Sequence, residues 1–206
     1  MYVPPAFRLE DPAEIRAALA SFPLASFVTA GTEGLMATPL PLFLDESEGP
    51  HGTLYGHLAR ANPQQKTDAR EGMAIFMGPD AYVTPSWYET KRETGKVVPT
   101  WNYVAIHAWG EIAFFDDPAR LHDVVSRLTR RREAGRAEPW EVADAPERFV
   151  AAQLRGIVGL RMTLTRMVAK SKMSQNRNAA DRSGVSRGLA ESGSETDRSV
   201  ANLIPE

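Results

Sequence analysis

The stretch "VVPTWNYVAIHAWGEIAFF" (Val97–Phe115) decides the fold class of this 206-residue chain. It is rich in β-branched and aromatic residues, the types that suit a pleated, half-buried surface. It predicts one or two strands, with Gly110 marking a bulge or bend. Alternation sets Trp101, Tyr103, Ala105, His107 and Trp109 on one face, which is either core or a dimer interface. Thr100 and Asn102 point the other way, open to polar contact with a ligand.

Upstream, "LASFVTAGTEGLMATPLPLFL" (Leu24–Leu44) reads as two strands around the turn "GTEG". Pro39 and Pro41 assign its second strand to a sheet edge or a kinked barrel position. "TLYGHLA" (Thr53–Ala59) is a third strand, and "MAIFMG" (Met73–Gly78) another. A turn at Pro79–Asp80 leads to a strand in "AYVTPSWY" (Ala81–Tyr88). The polar "ETKRETGK" (Glu89–Lys96) reads as a mobile loop. "IVGLRMTLTRMVAK" (Ile157–Lys170) alternates as a final strand.

Helices interrupt this series. Asp11 is an N-cap, with Pro12 at the first helical position, Glu14 behind it, and Ile15, Leu19 and Phe22 on one face. Asn62 and Pro63 open a short helix in "NPQQKTDAREG" (Asn62–Gly72). "DDPARLHDVVSRLTRRREAG" (Asp116–Gly135) and "PERFVAAQLRG" (Pro146–Gly156) are two more. A further short helix falls near 178–191, followed by a frayed tail. The expected fold is mainly β with peripheral helices (α+β), built as an antiparallel barrel. Its domain covers residues 1–190, with a helical insertion over about 116–156 and a polar tail at 191–206.

Composition narrows the chemistry. Hydrophobic residues make up 43% of the chain and charged residues 24%, which suits an ordinary globular core. The net charge of −2 gives no global nucleic-acid footprint. There is no cysteine, which excludes disulfides, thiol catalysis and thiolate metal sites. His51, His57, His107 and His122 lack metal-ligand spacing, so no metal is expected. No G-x-S-x-G, G-x-G-x-x-G or Walker pattern occurs. The start "MYVPPAFRLEDP" has neither a basic n-region nor an apolar h-region, and no apolar run reaches the ~20 residues of a membrane span. A cytoplasmic protein without membrane contact is expected.

Three stretches concentrate polar chemistry. "YGHLARANPQ" (Tyr55–Gln64) sets Arg60 beside a helix start, a ready anion site, with His57 on the strand face shared with Tyr55. The bland alternative is a capped helix, a solvated arginine and a partly buried histidine. Tyr82, Trp87 and Tyr88 accompany Thr84 and Ser86, either lining a pocket for a planar ring or filling the barrel. "AKSKMSQNRNAADRSGV" (Ala169–Val185) mixes Lys170, Lys172, Gln175, Asn176, Arg177 and Arg182 without acidic partners close by, which fits an anion or a heterocycle edge. The basic run Arg127, Arg130, Arg131, Arg132 and Arg136 is either a nucleic-acid contact or a helix end that complements its own dipole.

Five segments in order, "MYVPPAF", "HLARANPQ", "GPDAYVTPSWY", "VPTWNYVAIHAWG" and "KMSQNRNAADRSGV", resemble the PaiB-type family of FMN-binding negative transcriptional regulators. The resemblance spans residues 1 to about 190. Thr84 departs from its pattern, where serine is expected, and keeps the hydroxyl. It implies an FMN-binding split β-barrel, a homodimer with flavin at the interface, and FMN as cofactor. It also implies a cofactor site drawn from His57, Arg60, Asn62, Gln65, Trp101, Asn102, Lys172, Gln175, Asn176 and Arg177. Arg60 and Asn62 would meet the phosphate, with His57 orienting or shielding the pocket. Trp101 and Asn102 would lie near the isoalloxazine, and Lys172 with "SQNR" would approach the flavin or the partner subunit. No helix-turn-helix is visible, so DNA is a partner by resemblance alone. Two alternatives stand beside the regulator. One is a flavin-dependent oxidoreductase, with His57 and His107 as the groups able to move protons near neutrality. The other is a haem- or flavin-binding module with His107 as axial ligand.

Overall fold

The computed structural model describes residues 1–206. Eight strands form one sheet in the order β3-β2-β6-β7-β8-β5-β4, with β1 pairing β8 off this path. In chain order they are β1 (Arg8–Leu9), β2 (Leu24–Gly31), β3 (Gly34–Pro41), β4 (Phe43–Asp45), β5 (Thr53–Ala59), β6 (Glu71–Val83), β7 (Thr100–Phe115) and β8 (Ile157–Lys172). Six helices accompany them: α1 (Pro12–Ser21), α2 (Glu89–Thr94), α3 (Pro118–Glu133), α4 (Glu147–Leu154), α5 (Ala179–Ala190) and α6 (Glu195–Ala201). The chain divides into two compact units, described in turn.

One unit comprises Leu19–Phe76 and His107–Met167. Its β2–β3 hairpin closes at the pair Gly31↔Gly34, where Gly34 takes φ +98°. That left-handed backbone is open to glycine at little cost. β3 ends the strand order, so Pro39 and Pro41 sit on an edge that needs no donors on its outer side. β5 pairs β8 from Thr53↔Thr163 to Ala59↔Ile157. Phe27, Leu42, Leu54, Leu58, Phe76, Leu160, Met162 and Leu164 are almost completely buried and form the core. β7 runs through Gly110 as one strand. A Cβ there would stand 2.2 Å from the Thr163 carbonyl oxygen, so glycine permits a close backbone approach.

The arginines of α3 are packing groups. Arg127 pairs with Asp45 at 2.6 Å and lies 4.5 Å over the Phe43 ring. Arg131 covers the same ring at 4.9 Å. Arg132 donates to the Ala20 carbonyl oxygen at 2.8 Å, and Arg130 to that of Ser126 at 3.4 Å. Arg127, Arg131 and Arg132 therefore tie the helix to its own unit, while Arg130 and Arg136 bond only along the helix and at its end.

The other unit comprises Met1–Ala18, Met77–Ile106 and Val168–Glu206. Asp11 caps α1 through its carboxylate, 2.8 Å from the Ala13 amide. β6 continues through Pro79 and Asp80, where a turn is expected. Pairing to β2 ends at Phe76, so Pro79 lies beyond that neighbour, where a missing donor costs nothing on that side. "ETKRETGK" folds as α2, not as a loop, and ends on Gly95 at φ +68°. The segment after α5 is no frayed tail: α6, capped by Ser194, buries Val200 and Ala201. They join Tyr88, Val104, Met173, Val185 and Leu189 in the core of this unit. α5 packs unusually close to the turn Pro85–Trp87. A Cβ on Gly184 would lie 2.1 Å from the Trp87 carbonyl oxygen, and one on Gly188 2.4 Å from its indole.

Candidate functional site

A cavity of about 100 Å³ opens between the start of β7, the end of β8 and the segment leading into α5. Thr100, Asn102, Lys172, Ser174, Asn176 and Arg177 supply its polar wall; Tyr88, Val98 and Pro99 supply the rest. Of the residues read as site candidates, the fold gathers Asn102, Lys172, Asn176 and Arg177 here.

The wall is stiff. Asn102 is fully buried and exchanges hydrogen bonds with Ser174, Nδ2 donating to Oγ at 3.1 Å and Oγ donating to Oδ1 at 3.2 Å. Ser174 adopts φ +63°, the one non-glycine residue with positive φ. Such a backbone costs of order 1–3 kcal/mol and persists where the surroundings enforce it. Gln175 helps to enforce it. Its Oε1 accepts from the Met173 amide at 2.6 Å, and its Nε2 donates to the Ser171 carbonyl at 2.6 Å. Gln175 thus braces the turn and does not line the cavity.

The charges are uneven. Lys172 donates from Nζ to Thr100 Oγ1 and, at 2.5 Å, to the Trp101 carbonyl. Burial first, then the charges of Lys170 and Arg177, push its ammonium below the usual lysine range. Arg177 lays its guanidinium over the Tyr88 ring, 4.5 Å from the centroid. Tyr88 is 1% exposed, and its hydroxyl is buried without a hydrogen-bond partner. Burial raises its phenol above the ordinary range, against the opposing charge of Arg177. No carboxylate lines this cavity. Trp101 itself stays outside it, 53% exposed and edge-on to Tyr82 at 6.1 Å.

The remaining candidates belong to the other unit. Pro63–Lys66 is a single 3-10 turn, too short to project a helix dipole, and Asn62 Oδ1 already accepts from the Gln64 amide at 2.9 Å. The short helix expected over this segment is this 3-10 turn. Asn62 also donates to Thr38 Oγ1 at 2.9 Å. Arg60 donates from Nε to the Arg155 carbonyl at 2.8 Å and from Nη2 to that of Ile157 at 3.1 Å, and its Nη1 is 3.6 Å from Asp116. Gln65 donates to the Arg60 carbonyl at 3.0 Å. His57 is largely buried, with Nδ1 unpartnered, and burial holds its imidazolium below the usual range. Gln64, not singled out by sequence, is the buried hub of this junction: its Nε2 donates to Phe27 O and Thr29 Oγ1, both at 3.1 Å.

The same unit carries an open groove of about 590 Å³, with Val28, Leu35, Met73 and Trp109 as apolar wall and Arg70 and Glu71 among its polar residues. Arg166 covers Trp109 at 3.9 Å, and His107 tilts against that indole at 5.7 Å. No cluster of histidine and acidic side chains could hold a metal ion. No helix is long and apolar enough to cross a membrane.

The family described as "Putative FMN-binding domain" matches residues 1–166. The chain belongs to this FMN-binding family. An uncharacterized protein of Aspergillus fumigatus is 34% identical over 84% of this chain and 82% of its own. The Bacillus subtilis protease synthase and sporulation protein PAI 2 is 28% identical over 100% of this chain and 97% of its own. Among solved structures, the FAD and haem binding protein of Mycobacterium smegmatis superposes with a TM-score of 0.60. That match covers 85% of this chain and 78% of the other at 13% identity, a likeness of fold. The FMN-binding family thus has here the antiparallel flavin-binding split-barrel fold that its strand pattern predicts.

The cavity fits part of FMN and not all of it. Its cations and its unpartnered hydroxyl suit an anionic or acceptor-rich group, while 100 Å³ is too small for the three-ring isoalloxazine.

Proposed function

We propose that this protein is an FMN-binding homodimer of the PaiB type, acting as a negative regulator of transcription, and that one end of its flavin enters the Tyr88–Lys172–Arg177 cavity. The observation that carries the flavin part is a cavity wall that holds Lys172, Arg177 and Tyr88, whose hydroxyl is buried and unpartnered, and no carboxylate. A buried hydroxyl without a partner is costly, and a ligand acceptor relieves that cost. When bound, FMN supplies reversible electron and hydride chemistry. The chain's own residues hold and orient it. Lys172 and Arg177 contribute charge, Tyr88 donates from a water-poor wall, and the Asn102–Ser174 pair keeps the wall rigid.

The homodimer reading rests on what lies beside the cavity. The pocket accepts only part of the cofactor, and Tyr82 and Trp101, 48% and 53% exposed, form an aromatic edge next to it through the Trp101–Lys172 bond. A second copy covering that edge would enclose the rest of the flavin. The regulatory part rests on the resemblance and on the relation to the Bacillus sporulation protein. The α3 arginines do not support it, since they are engaged within their own unit.

The test is an absorbance spectrum of protein loaded with FMN and passed through gel filtration, paired with sedimentation equilibrium. Expected is about one flavin per subunit on a dimer; flavin lost on the column, or a monomer that keeps it, contradicts the corresponding part. For regulation, retention of the gene's own upstream DNA should weaken steeply with salt. No retention at low salt ends that part of the proposal.

A further inference from the structure

Resting on the FMN reading, we infer that the Tyr88–Lys172–Arg177 cavity is an oxyanion subsite that takes the phosphate of FMN, not the edge of its ring. The resemblance points elsewhere, to Arg60 and Asn62, and their geometry argues against that segment. Asn62 caps the 3-10 turn and binds Thr38, while Arg60 donates to two backbone carbonyls. In the cavity, by contrast, donors remain free. The Arg177 guanidinium lies over the Tyr88 ring and has N–H donors to spare among its five. Lys172 has used two of its three N–H donors. Tyr88 has used none.

The charge decides between phosphate and ring edge. Of the two amides in the wall, Asn102 exchanges hydrogen bonds with Ser174, while Asn176 stays available to a ligand. Lys172 and Arg177 stand in the same wall with no carboxylate, a pair of cations that suits a phosphate dianion. The nearest buried acid cannot compete for those donors. Asp181 accepts from the Thr90 amide and hydroxyl, both at 2.9 Å, and does not line the cavity.

The experiment compares FMN with riboflavin, which has the same ring and no phosphate, by fluorescence titration of the full chain and of Arg177→Ala. The wild type should bind FMN about 10–100-fold more tightly than riboflavin, the scale of charge-assisted hydrogen bonds. Arg177→Ala should lose most of that preference while its riboflavin affinity stays within about two-fold, and Arg177→Lys should recover part of it. Inorganic phosphate should compete with FMN and not with riboflavin. Equal affinity of the wild type for both flavins, or an equal loss of both in Arg177→Ala, overturns the phosphate assignment and puts the ring in the cavity. Failure of the wild type to bind either flavin removes the FMN reading itself. Thermal unfolding of each variant separates a lost donor from a lost fold.

Discussion

Arg177 stacks on Tyr88, its guanidinium carbon 4.5 Å from the ring centre, and beneath that contact the Tyr88 hydroxyl has no partner. The two facts together predict opposite effects on stability and on binding. Tyr88→Phe removes a buried donor that the free protein leaves unsatisfied, so thermal unfolding without flavin should show no loss and a gain of up to about 1 kcal/mol. The same change should weaken FMN by roughly 1–2 kcal/mol. A variant that loses stability and keeps its affinity would make Tyr88 a core residue and nothing more.

Arg60 should behave in the reverse manner. Its side chain bridges the carbonyls of Arg155 and Ile157, tying the end of β5 to the start of β8. Arg60→Ala should therefore destabilise the chain by roughly 1–3 kcal/mol through the lost charged hydrogen bonds, and leave FMN affinity of the folded protein nearly unchanged. Denaturant unfolding and flavin titration of the same preparation read the two effects apart.

Binding should depend on alkaline pH through Lys172. Burial, Lys170 and Arg177 all push its ammonium below the ordinary 10.5. Tyr88 moves the other way, its phenol held above the ordinary 10.0 by burial. As pH rises through the lowered lysine value, one positive charge leaves the cavity and FMN affinity should fall, with riboflavin affinity flat. Lys172→Met should abolish the slope. A slope that survives this change assigns the titration to another group.

Stability at mildly acid pH should report His57. Its folded imidazole sits below the ordinary 6.5 because burial disfavours the charged form. The unfolded chain then binds more protons than the folded one across that interval, so stability rises with pH there. It should fall as pH drops below about 6.5 and level off beneath the folded value. Asp45, lowered to about 2 by Ser47 and then by Arg127, titrates well outside this window. Urea midpoints between about pH 5 and 7, wild type against His57→Gln, test the assignment: the variant should show the shallower dependence.

Most of the sheet is legible in local sequence signals because strands and caps are local matters. Pro39 and Pro41 announce an edge, and Asp11 and Asp117 announce helix starts that the structure has. The misreadings have long-range causes. α2 has no apolar stripe, and its first turn is held by Asp181, which accepts from Thr90 across 91 residues of chain. α6 reads as polar tail because only Val200 and Ala201 enter the core. The 3-letter strand β4 is too short to register as a pattern. The site divides along the same line. "SQNR" flags the cavity by composition, yet nothing local says that Gln175 braces the turn while Arg177 lines the cavity. Arg60 looks like an anion ligand until its carbonyl partners, 95 and 97 residues away, come into view.

The glycine pair of α5 has a consequence for how this chain can diverge. Gly184 faces the backbone of Trp87, so no exchange at position 87 makes room for a side chain at 184. Gly188 faces only the indole, so a smaller residue at 87 would free it. Among descendants of this chain, position 188 should vary in step with 87, while 184 stays glycine throughout. Anyone transplanting the "PSWY" turn into another barrel would have to carry α5 along with it, since the two segments fit one another as lock and key and are inherited as one part.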